Sequence, residues 1–88
     1  MQNVRAIVTE TGAGVEIARV IHGPNKHSVE ERTREQLRQI IEQVVRDNPR
    51  ASCDDMDDAL RRGYWSTDLG SEEFSVFVLE PVEVDQVE

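Results

Sequence analysis

The chain reads as one α+β domain with its elements in the order β-β-α-α-β. Three observations carry that reading. Two β-branched runs flank a Gly-containing loop, a long amphipathic helix pattern fills the middle, and a short Phe/Val run lies near the C-terminus. The expected architecture is a small three-stranded sheet, or a four-stranded one, with two helices packed on one face.

Residues 4–9 (VRAIVT) and 15–21 (VEIARVI) are the two runs, and Glu10-Thr11-Gly12-Ala13-Gly14 joins them. That arrangement predicts a β-hairpin, with the glycines supplying the positive φ of a tight turn. Ile7 is out of phase with Val4, Ala6 and Val8, and Arg19 interrupts the row of Val15, Ile17 and Ile21. Either a bulge shifts the phase or both faces are partly covered. Residues 22–27 (HGPNKH) read as a loop. Ser28 and Glu31 have capping-box spacing, predicting a helix from Val29 to about Asp47 that Asn48-Pro49 stops. Val29, Thr33, Leu37, Ile40, Ile41, Val44 and Val45 form its buried stripe. Glu30–Arg34, Arg38–Glu42 and Glu42–Arg46 are spaced to pair on its outer face. A second helix is expected from about Cys53 to Arg62, with Ser52 as N-cap, acids in its first turns, Arg61-Arg62 in its last and Gly63 just past its end.

Residues 64–73 read as an irregular connection. Residues 74–79 (FSVFVL) read as the third strand, apolar in both of its rows, so that both faces need cover. Helices supply one cover. The rest of the chain, a second copy or a partner must supply the other. Pro81 either ends this strand or puts the residues beyond it at an edge. Residues 82–88 read as a short extension or a loose acidic tail.

With 88 residues, one domain is expected over the whole chain. Residues 1–62 hold eleven acids and ten bases, whereas residues 63–88 hold seven acids and no base. Most of the net charge of -8 therefore sits in the last third. A one-signed surface repels nucleic acid and lipid headgroups and attracts basic protein surfaces. Cys53 is the single cysteine, which excludes an intramolecular disulfide and a cysteine-based zinc site. The N-terminus lacks a signal-peptide pattern and no apolar run is long enough to cross a membrane, so a cytoplasmic protein is expected.

Asp54, Asp55, Asp57 and Asp58 form the densest charge cluster. Its spacing does not match a calcium loop, and an acidic helix start accounts for it through the helix dipole. Cys53 falls on the apolar stripe and reads as a structural thiol. His22 and His27 flank a Gly-Pro loop without a nucleophile or acid spaced to join them. Gly12 and Gly14 precede a strand, not the helix that a phosphate cradle needs. Arg32, Arg34, Arg38 and Arg46 interleave with glutamates, as on a solvated helix face. Tyr64 and Trp65 are either core or an interface anchor.

No catalytic set, cofactor motif or metal-ligand pattern emerges. The expected function is that of a small acidic, non-enzymatic protein that binds and regulates or inhibits another macromolecule. Its partner would be the basic surface of another protein, for instance a nucleic-acid-handling one, met by mimicry of nucleic-acid charge in the manner of small phage or mobile-element inhibitors. Direct nucleic-acid binding and membrane binding are not expected. The contact surface assigned on this reading is Asp54, Asp55, Asp57, Asp58, Asp68, Glu72 and Glu73, with Trp65 as anchor. The alternative is a self-assembling structural or accessory subunit, a homodimer through the sheet.

Overall fold

A computed structural model describes residues 3–12, 14–70 and 72–84. The chain forms β1 (Asn3–Gly12), β2 (Val15–Gly23), α1 (Lys26–Asp47), α2 (Met56–Arg62), β3 (Tyr64–Asp68) and β4 (Glu73–Val84). The four strands make one antiparallel sheet in the order β2-β1-β4-β3. The α+β class and the two helices are as expected, and the sheet has the larger of the two strand counts. Among the described residues no helix is long and apolar enough to cross a membrane.

The first hairpin keeps one continuous register from Val4↔Gly23 to Gly12↔Val15, with no bulge between its strands. The phase conflict at Ile7 therefore comes neither from a bulge in the hairpin nor from a second covering layer among the described residues, but from an apolar residue on the open face. Val4, Ala6 and Val8 point to the helices, and Ile7 lies on the opposite face beside Val20. Gly14 holds φ at +74° in the turn, as the sequence predicts. Gly12 is needed for a different reason: a Cβ there would stand 2.9 Å from Phe74 Cδ2.

α1 begins two residues before Ser28. The Asn25 side chain accepts the Ser28 backbone N–H at 2.8 Å, so Asn25 is the cap and Ser28 lies inside the first turn. Asn and Ser cap about equally well, and Asn25 is the one that follows Pro24 in extended backbone. At the far end the Asn48 backbone N–H and side-chain amide both donate to the Val44 carbonyl. The pairs Glu30–Arg34, Arg38–Glu42 and Glu42–Arg46 are not among the ion pairs of the described residues; Gln43–Asp47 and His27–Glu31 occupy the outer face instead.

The expected irregular connection over 64–73 is overturned for residues 64–68, which form a strand. Tyr64–Asp68 pairs with β4 from Tyr64↔Phe77 to Asp68↔Glu73, and Trp65 and Thr67 point inward. β4 also runs past Pro81. The register against β1 slips between Arg5 and Ile7, and this irregularity admits the proline where β3 no longer flanks the strand. Residues 82–84 thus extend β4, whereas 85–88 of the proposed acidic tail lie outside the described residues.

α1 lies across the inner face of the sheet. Leu37, Ile40 and Ile41 meet Val8, Val76 and Trp65, and Ala59 and Leu60 of α2 close that cluster. Val29 packs on Val4 and Ala6 in a second cluster nearer the start of β1. The outer face is different. Val20 and Leu79 stand about half exposed on it, and none of the described elements covers it.

Truncating a side chain in this seam leaves a cavity that rigid strands cannot close. Leu37→Ala should cost about 2–5 kcal/mol in urea unfolding, whereas Gln39→Ala on the exposed side of α1 should change stability by less than about 0.5 kcal/mol.

Candidate functional site

α2 starts at Met56, later than the sequence suggests, because its cap is Asp55 and not Ser52. The Asp55 carboxylate accepts the Asp58 backbone N–H at 3.0 Å. Ser52 is engaged elsewhere: its backbone N–H donates to Thr67 Oγ1 at 3.2 Å, tying residues 51–55 to the edge strand β3. Ala51 is buried beneath that tie. The result is an open cleft of about 450 Å³ between the 52–55 loop, one side of α2 and the length of β3.

Asp54, Asp55, Asp58, Trp65 and Asp68 all line this cleft. Five of the eight residues assigned from sequence are thereby brought together. Asp57 stands exposed on α2, outside the cleft lining. Glu72 lies in the turn between β3 and β4, and Glu73 begins β4, where it pairs with Asp68 across the hairpin. The Glu72 carbonyl accepts the Leu69 N–H at 2.8 Å, and Asp68 accepts the Gly70 N–H at 2.7 Å. Trp65 is only 7% exposed and packs against Phe74 with ring centroids 6.1 Å apart. It is a core residue at the cleft floor, and the aromatic side chain that water reaches is Tyr64.

The sequence pattern casts Arg61 and Arg62 only as partners of the helix dipole. In the structure both bond to Asp58, Arg62 at 3.1 Å, and the Arg62 guanidinium also lies 5.9 Å from the Tyr64 ring centroid. The i, i+4 spacing of Asp58 and Arg62 was the available signal. The Arg62 and Arg61 hydrogen bonds hold the Asp58 carboxyl below its ordinary value. The cleft lining therefore has four carboxylates against one guanidinium and stays negative.

Cys53 lies ahead of α2, not on it. Burial raises its thiol pKa most, a hydrogen bond with Asp55 backbone opposes that, and the charges of Asp54 and Asp55 add to the rise. Such a thiol is a weak nucleophile. The carboxylates do not converge on a point: among the described residues no group of three or more His, Cys, Asp and Glu side chains could hold a metal ion. His22 lies on β2 and His27 in the first turn of α1, both exposed.

Fold and cleft define a two-layer α+β domain whose sheet edge and second helix present carboxylates. No protein-family model matches the chain, and comparison with curated proteins and with solved structures gives no match.

The charge arrangement has consequences for acid stability and for thiol reactivity. Asp58 is depressed in the folded state, so its ion pairs contribute stability above the ordinary value of 3.8, and that contribution disappears as pH falls through the lower folded value. Asp58→Asn should remove that part of the acid-unfolding profile and leave the neutral-to-alkaline profile parallel to the parent; an unaltered acid limb contradicts the pairing. Iodoacetamide at about pH 8 should label Cys53 in the native protein more slowly than free cysteine, and faster labelling contradicts the raised thiol.

Proposed function

We propose that this is a small acidic protein without enzymatic chemistry that binds a basic surface on another protein and so regulates or inhibits it. The observation that carries the reading is the acidic cleft at the β3 edge, continued by Glu72 in the adjoining turn and Glu73 at the start of β4. A carboxylate array held on a helix start and a sheet edge is preorganised, and preorganised charge steers association and sets orientation.

Not all of the eight residues are equivalent in this role. Asp55 is committed to capping α2, Asp58 to Arg61 and Arg62, and Asp68 to the turn at Gly70. Asp54, Asp57, Glu72 and Glu73 are the carboxylates that a basic partner would meet with least rearrangement. A protein that handles nucleic acid is the partner class with the complementary surface, since its groove is built for a run of negative charge. Mimicry of nucleic-acid charge is the corresponding mechanism of inhibition.

The test is capture of partners from lysate by the tagged chain, eluted in steps of rising salt. The parent should retain a basic protein that leaves at moderate salt. The variant carrying Asp54→Lys, Asp57→Lys, Glu72→Lys and Glu73→Lys should fold, by circular dichroism, and retain none of it. Equal retention by the folded variant contradicts the proposal.

A further inference from the structure

The outer face of the sheet has a pattern that its uncovered state does not explain. Directly paired residues share a face, so the register defines rows across the sheet. One row is Val20, Ile7 and Leu79; the next is Ala18, Thr9, Phe77 and Tyr64. Val20, Leu79 and Tyr64 are 50%, 49% and 40% exposed. A polar row flanks these two on each side. Arg5 and His22 pair at one end, and Glu16 and Thr11 pair at the other. All four are exposed. The face thus runs from basic through apolar to acidic along the strand direction.

We propose that this face is the interface of a homodimer, in which the sheets of two copies pack face to face with their strands antiparallel. A two-fold axis perpendicular to the strands, lying between the two apolar rows, sets each row of one copy over the other row of its partner. Bulky side chains then meet small ones. Val20 lies over Ala18 and Ile7 over Thr9, while Leu79 meets Phe77. The same operation sets His22 over Glu16, with Arg5 on the neighbouring strand within reach of that carboxylate. A two-fold axis along the strands would instead set the row of Arg5 over the same row of the partner and the row of Glu16 over its own, so that the oppositely charged ends would not meet.

Size is consistent with this occupant. Four strands about 4.8 Å apart and seven residues of about 3.4 Å each give a footprint of roughly 19 by 24 Å. Side-chain relief enlarges the accessible area beyond that flat footprint, towards the roughly 600 Å² per partner at the lower end of stable interfaces. Joining two copies through the free edge of β2 would leave Val20, Leu79 and Tyr64 in water, so it does not resolve the exposed face. The acidic cleft opens at the β3 edge beside α2, so the dimer and the contact surface proposed above are separate features.

Sedimentation equilibrium over about 1–200 μM tests the proposal. The parent should show twice the chain mass at the upper concentrations. Leu79→Lys places an uncompensated charge in the interface and should weaken the dimer more than about a hundredfold while circular dichroism stays native. Glu16→Arg should weaken it about tenfold, and adding Arg5→Glu to Glu16→Arg should restore it, because only the antiparallel arrangement brings those positions together across copies. A single-chain mass for the parent at the highest concentration overturns the proposal. So does a dimer that persists unchanged in Leu79→Lys, or a loss in Glu16→Arg that Arg5→Glu does not repair.

Discussion

The seam between α1 and the two central strands is the interaction on which the other features depend. Leu37 and Ile41 are almost fully buried against Val8 and Val76, which come from β1 and β4. Those strands are the middle pair of the sheet. In a chain of this size the buried apolar area is small, so the few side chains that reach full burial contribute a large share of it. The seam also decides which side chains stay outside. Because residues alternate along a strand, seating Val8 and Val76 under α1 turns Ile7, Phe77 and Leu79 to the far side. The open apolar face is a direct consequence of the covered one.

The acidic cleft depends on the same arrangement at one remove. α2 is short and sits over the end of the seam through Ala59 and Leu60. Gly63, in the left-handed conformation at φ +68°, turns the chain sharply from α2 into β3. β3 then runs beside the loop that precedes α2, and the Ser52–Thr67 bond holds the two together. Carboxylates from residues 54–58 and from Asp68 become neighbours only through that reversal. Arg61 and Arg62 moderate the field by folding back onto Asp58, which leaves the remaining carboxylates as the surface a basic partner would meet.

Much of this architecture is legible in the residues. The hairpin of β1 and β2, the long helix with its stripe from Val29 to Val44, and the Gly63 stop all carry local signals, although Val45, expected on that stripe, stands exposed. β3 carries almost none: only Trp65 and Thr67 point inward, and two inward residues do not establish an alternation. Both helix starts are displaced for one reason. Asn25 and Ser28, like Asp55 and Ser52, are comparable caps by residue type, so residue type alone does not choose between them. The acid cluster at 54–58 is visible as a run. Its proximity to Asp68 is not, since that depends on a strand without a local signal. Trp65 against Tyr64 is a question of which way one residue faces, and strand phase alone answers it.

Amide hydrogen exchange measured residue by residue by NMR tests the seam most directly. If burial under α1 organises the fold, amides of Val4–Val8, Val76–Val78 and Thr33–Ile41 should exchange last and together, at the rate set by global unfolding. Those of α2 and the edge strand β2 should exchange earlier. Central-strand amides that exchange as fast as those of β2 would contradict the account, because the seam would then not be the unit whose opening unfolds the domain.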